Sequence, residues 1–151
     1  MISLICEKYN IKNYIINSDG SIDVVGDVYL WDKKLTELPL VFNKVSGDFH
    51  CGGNNLTSLK GSPRWVGGYF ICSRNDLTGL EFSPEYVGTW FDCINNKLID
   101  NYCITEILGN FHTSLKQDGL IFDYSIATNY NEWRKLYKRK LILNELYIRN
   151  M

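Results

Sequence analysis

Three cysteines, Cys51, Cys72 and Cys93, stand 21 residues apart each time. A constant period constrains a chain more than any local propensity, because it requires one structural unit laid down again and again. Aligned on these cysteines, the chain shows three clear copies that begin at Val45, Val66 and Val87. The first carries Val45, Phe49, Cys51, Asn54 and Leu56. The second carries Val66, Phe70, Cys72, Asn75 and Leu77, and the third Val87, Phe91, Cys93, Asn96 and Leu98. A looser copy runs from Val24 through Val28, Leu30, Leu35 and Thr36 to Leu38, and no insertion interrupts the period from Val24 to Leu98. Pro63 and Pro84 also fall at one phase.

Each copy has a physical reading. Phe-x-Cys is a period-two pattern, which sends both side chains to one face of a short strand. An asparagine follows three residues after each cysteine, where the chain has to turn and bury backbone groups. An inward amide can donate to and accept from those groups, so stacked copies should form an asparagine ladder. Leu56, Leu77 and Leu98 enter the core next. Gly61-Ser62-Pro63 and Phe82-Ser83-Pro84 are too turn-rich for a long helix, so each coil is expected to return by an irregular or extended path. An irregular α+β domain, the alternative, has no need of a fixed period.

The run Phe-x-Cys-x-x-Asn-x-Leu-Thr-x-Leu, as at Phe49 to Leu59, resembles the leucine-rich repeat in its short bacterial form. The likeness covers Val24 to Leu98, about half the chain. Asp19-Gly20-Ser21-Ile22-Asp23-Val24, followed by such copies, is similar to small repeat proteins encoded by tailed bacteriophages. The resemblance implies an α/β fold, a curved parallel-β solenoid used for protein binding. It implies no activity, because this family is a scaffold whose function sits in exposed residues. Lys33 stands where the first copy should carry its ladder asparagine, which marks that copy as a degenerate edge coil.

A solenoid needs its terminal coils covered. Residues 1–23 read as an N-terminal cap: a short helix over Ser3 to Tyr14, with Leu4, Ile5, Tyr9 and Ile11 as buried positions, then a hairpin of Ile15-Ile16 with Ile22-Asp23-Val24. Residues 24–98 form four repeats of 21 residues, and 99–151 a degenerate repeat with a C-terminal helical cap, all in one domain. Asp100 is a candidate N-cap for a helix through Leu108. Leu108-Gly109-Asn110-Phe111-His112 echoes Val45 to His50 with one deletion and reads as a fifth strand; Leu120 to Tyr124 is another strand candidate. From Asn131 to Arg149, the residues Trp133, Leu136, Tyr137, Leu141, Leu143, Tyr147 and Ile148 fall on one stripe at about 100° per residue, the mark of an amphipathic helix.

Composition narrows the function classes. The net charge of −1 gives no global push toward nucleic acid or acidic membranes. The start of the chain lacks a basic leader with a long apolar run, and no segment approaches the roughly 18 uninterrupted apolar residues of a membrane span. Five cysteines, an odd number, point to reduced thiols in a cytoplasm. Metal ligands come in close pairs, whereas these cysteines lie one coil apart, so neither metal nor cofactor is expected. No Gly-x-Ser-x-Gly, phosphate loop or His-Glu-x-x-His is present, and no catalytic residue or small-molecule substrate is expected.

Binding is therefore the expected function. If phenylalanine and cysteine point inward, their neighbours face outward. Three rows result: Asp27, Asp48, Tyr69 and Trp90; Tyr29, His50, Ile71 and Asp92; Trp31, Gly52, Ser73 and Ile94. Tyr29, Trp31, Tyr69, Ile71, Trp90 and Ile94 are expected to form an apolar-aromatic patch with an acidic rim of Asp48 and Asp92, His50 lying within it. This is the surface a protein partner, in the phage reading a host defence protein to be inhibited, would use. The competing expectation is that a terminal element folds over this face. A second function class is nucleic-acid binding through the basic arc of the last helix, Arg134, Lys135, Lys138, Arg139 and Arg149.

Overall fold

In a computed structural model of the chain, residues 1–98 are described throughout, together with the backbone of residues 106–107, 111–112, 116–117 and 120–121. The chain begins with helix α1 (Ile2–Lys8) and an antiparallel hairpin of β1 (Tyr14–Ile16) with β2 (Ile22–Val24). It then winds about three turns of parallel β-solenoid. Each turn contributes two strands, one to each of two sheets. The first sheet continues from β2 through β4 (Phe42–Val45), β6 (Trp65–Val66), β8 (Tyr86–Val87) and β10 (Glu106–Ile107). The second runs through β3 (Val28–Tyr29), β5 (Phe49–His50), β7 (Phe70–Ile71), β9 (Phe91–Asp92) and β11 (Phe111–His112). A separate hairpin joins β12 (Lys116–Gln117) and β13 (Leu120–Ile121).

The register is that of the repeat. Phe49 pairs with Phe70 and Phe70 with Phe91, while Val45 pairs with Val66 and Val66 with Val87. Backbone bonds tie the coils in both directions. In the second sheet Phe49, Cys51 and Gly53 N–H groups donate forward to Tyr69, Ile71 and Ser73 carbonyls. In the first sheet Gly67 and Gly88 N–H groups donate back to Val45 and Val66 carbonyls. The expected return path therefore holds more order than the sequence suggests: right after each turn-rich segment, Trp65–Val66 and Tyr86–Val87 form ladder strands.

Phenylalanine and cysteine point inward, as their spacing predicts. Phe42, Phe49, Phe70 and Phe91, the four repeat valines, Leu56, Leu77, and Cys51, Cys72 and Cys93 are all buried. The phenylalanines stack down the axis: Phe49 on Phe70 at 5.7 Å and nearly parallel, Phe70 on Phe91 at 5.0 Å.

The asparagine ladder forms as expected. Asn54 Nδ2 donates to the carbonyls of Leu30 (2.8 Å), Cys51 (2.9 Å) and Gly52 (3.1 Å), and its Oδ1 accepts the N–H groups of Lys33 and Leu35. Asn75 reaches Cys51, Cys72 and Ser73 carbonyls and the Leu56 N–H. Each amide thus satisfies its own turn and the turn before it. Coil one needs no asparagine at Lys33, because Asn54 serves it from below. The residue before each ladder position, Asp32, Gly53, Arg74 and Asn95, adopts a left-handed backbone with φ near 51–65°. Three of these four are the types that tolerate it best.

The corner between the two sheets is where glycine is required. A Cβ on Gly88 would lie 2.0 Å from the Gly67 carbonyl oxygen, and one on Gly68 would lie 2.0 Å from Asp48 Oδ1. Neither residue has a positive φ; close approach of neighbouring coils demands the missing side chain.

Several expectations need correction at the ends. The N-terminal helix stops at Lys8, not Tyr14. Asn10 takes φ 55°, and Asn10 and Ile11 N–H groups close a Schellman motif onto the Glu7 and Cys6 carbonyls. Cys6 and Ile11 are buried and Ile5 and Tyr9 half-buried, but Leu4 is exposed because the single short helix offers only one face to the core. The helix expected through Leu108 is displaced at Glu106–Ile107, which extends the first sheet beside Tyr86–Val87. Phe111–His112 is the expected fifth strand, paired with Phe91–Asp92. Ile107, not Leu108, pairs with Val87, so Ile107 to Phe111 keeps the spacing of Val87 to Phe91 and the one-residue deletion falls before Ile107 in the sequence. The amphipathic helix expected over residues 131–149 lies outside the described residues. Among the described residues no helix is long and apolar enough to cross a membrane.

Candidate binding face

The outer surface of the second sheet collects the residues singled out from the alternation. Strand pairing sets Tyr29, His50, Ile71 and Asp92 side by side across four successive coils, about 4.8 Å apart as neighbouring strands are. Two residues N-terminal, at the corner, lie Asp27, Asp48, Tyr69 and Trp90. Tyr29, Trp31 and Tyr69 are exposed at 56%, 41% and 44%. His50, Ile71, Trp90, Asp92 and Ile94 are half-buried. Tyr69 and Trp90 rings lie 6.4 Å apart, and Trp31 meets His50 edge-on at 4.8 Å.

Two members of the predicted outer row do not belong to it. Gly52 and Ser73 are buried. The strands are only two residues long, so alternation ends where the chain turns toward the ladder. The Trp31 ring then lies across Gly52 and Gly53, 3.2 Å from where a Gly52 Cβ would stand. The Arg74 guanidinium sits 5.9 Å above the same ring.

The carboxylates at the corner hold backbone as well as lining the rim. Asp27 Oδ1 accepts the Asp48 N–H, and Asp48 Oδ1 accepts the Tyr69 N–H, each at 2.8 Å. They form a second ladder, whose signal in the sequence is the 21-residue spacing of the two aspartates. Asp92 Oδ1 accepts the Ile94 N–H at 3.1 Å. The Tyr29 hydroxyl donates to Asp27 Oδ2, and this bond with the Asp27 and Asp48 charges pushes the phenol above its ordinary range. Burial dominates at His50 and lowers its pKa, opposed by Asp92 and Asp48. The imidazole is therefore neutral near pH 7, and its Nδ1 accepts the Gly52 N–H.

The thiols are core groups. Burial pushes Cys51 up to about 12, and raises Cys6 as well. A thiol needs access and thiolate character to react. Native protein treated with iodoacetamide near pH 8 should leave Cys51, Cys72 and Cys93 unmodified by peptide mass mapping, with alkylation on adding denaturant. Rapid native labelling of Cys72 would contradict its burial. Among the described residues, no three His, Cys, Asp or Glu side chains are placed to hold a metal.

Two surface features were not anticipated. On the first sheet, Trp65 and Tyr86 stack in parallel at 5.2 Å, with Lys44 Nζ 4.6 Å from the Trp65 ring centre. The signal was again the phase of equivalent residues. Around the return bends lies a groove of about 500 Å³, lined in part by Val41, Pro63, Leu80 and Phe82. Phe82 holds φ 65° where the coil before has Gly61 at φ 93°. The nearby Arg64–Glu85 pair, at 2.6 Å, is exposed on both sides and adds little to stability. The basic residues Arg134, Lys135, Lys138, Arg139 and Arg149 lie outside the described residues.

Comparison with protein-family models, with curated proteins and with solved structures found no match to this chain.

Proposed function

We propose that this chain is a non-catalytic protein-binding module whose docking surface is the outer face of the second sheet. The observation that supports this most directly is the run of exposed Tyr29, Trp31 and Tyr69 with half-buried Trp90 on a face of paired strands. Tyrosine and tryptophan anchor interfaces well, since they offer large amphipathic area at little entropic cost. The backbone beneath is held by two side-chain ladders, so the anchors are preorganised, which cuts the cost of binding. In the finer form of this reading the chain is phage-encoded, works in the bacterial cytoplasm, and occupies a host defence protein so as to inhibit it.

The test is capture from bacterial lysate with immobilised full-length protein, with and without nuclease. Wild type should retain a protein that a Tyr69→Ala/Trp90→Ala variant does not, and nuclease should make no difference. Both side chains are partly solvated, so the variant should melt within a few degrees of wild type. A large drop in melting temperature would mean that part of the chain covers this face. Retention that vanishes with nuclease would favour the basic segment around Arg134 and Lys138.

A further inference from the structure

We infer that the partner of this face presents cationic side chains to it, arginine or lysine among apolar neighbours, rather than phosphates or carboxylates. The inference rests on the docking reading above and deepens it. Three carboxylates, Asp27, Asp48 and Asp92, are spread along the aromatic stripe. Arg74, above Trp31, is the one cation placed against these rings among the described residues. His50 adds no positive charge near neutral pH, because burial lowers its pKa.

The carboxylates are held in place. Each accepts a backbone N–H on one oxygen: Asp27 from Asp48, Asp48 from Tyr69, Asp92 from Ile94. A charge fixed by backbone loses little entropy when it meets an opposite charge, and attraction grows as docking excludes water. The rings add a second term of the same sign. Aromatic faces attract cations, arginine most often. Among the described residues this fold already makes that contact within itself, at Lys8 on Tyr9, Lys44 on Trp65 and Arg74 on Trp31. An anionic partner would meet three like charges and the negative faces of the rings at once.

The test uses fluorescently labelled oligo-arginine, oligo-glutamate and single-stranded DNA as probes, read by anisotropy against the full chain at about 50 mM salt, where exposed charges are weakly screened. A face variant, Asp27→Asn/Asp48→Asn/Asp92→Asn, keeps each Oδ1 acceptor while removing the charge. A control variant, Glu7→Gln/Glu37→Gln/Glu81→Gln, changes net charge equally through other elements. Oligo-arginine should bind wild type and the control alike, and the face variant at least about tenfold more weakly, or about 1.4 kcal/mol. Asp92→Asn alone should lose about threefold, which keeps the test open if the triple variant misfolds. Oligo-glutamate and DNA should not bind. Equal losses in the face and control variants would reduce the effect to net charge and overturn the inference, as would binding of either anionic probe. If lysate capture is lost in the Tyr69/Trp90 variant but unchanged in the face variant, the docking surface stands and its preference for cations falls.

Discussion

Phe70→Ala should cost about 3–5 kcal/mol, read from the shift of the denaturation midpoint at constant slope. Phe70 is fully buried and sandwiched, with Phe49 stacked 5.7 Å on one side and Phe91 5.0 Å on the other. Truncation removes transfer energy and leaves a cavity between three coils. The coils cannot close over it, because backbone ladders fix their spacing at both sheets. In a solenoid each coil contacts only its neighbours, so a central defect weakens two interfaces at once. Phe70→Leu, nearer in volume, should cost no more than about 1.5 kcal/mol. A loss below about 1 kcal/mol for Phe70→Ala would show that this ring does not bridge the two neighbouring coils.

Asn75→Ala should cost about 3 kcal/mol, almost wholly through unmade hydrogen bonds. The amide donates to Cys51, Cys72 and Ser73 carbonyls and accepts from the Leu56 N–H at 3.0 Å, all in a buried setting. A buried group left without a partner costs about 1–3 kcal/mol, and losses within one network do not simply add. Asn75→Asp tests the chemistry apart from the shape. A carboxylate keeps the acceptor for Leu56 N–H but faces three carbonyl oxygens with no donor, so near pH 7 it should be no better than alanine. Hydrogen exchange gives a local readout: the Leu56 amide should lose protection in Asn75→Ala and keep it in Phe70→Leu. Full protection of Leu56 in the alanine variant would dismantle the ladder account.

The predicted hairpin of Ile15-Ile16 with Ile22 to Val24 and the fifth strand at Phe111 also form, since both rest on turn chemistry or phase that neighbouring residues reveal. What the sequence leaves unspecified has one cause. Trp65–Val66 and Tyr86–Val87 are strands of two residues, too short for alternation to show, and exist only because the coil beside them supplies partners. Gly52 and Ser73 were placed outward by extending alternation past the strand end. Asp48 reads as a rim charge in the sequence because a carboxylate bound to a backbone N–H one coil away looks, in a linear chain, like any surface aspartate.

Residue order alone settles what depends on period and on side-chain chemistry within one coil: the 21-residue unit, the inward phenylalanine and thiol, and the need for an amide at the turn. It leaves open what depends on distance between coils. Which short segments become strands, which glycines must lack a side chain, and how Trp31 comes to rest on Gly52 are all decided by stacking, because each is a contact between residues about 20 positions apart that meet only once the chain has wound upon itself.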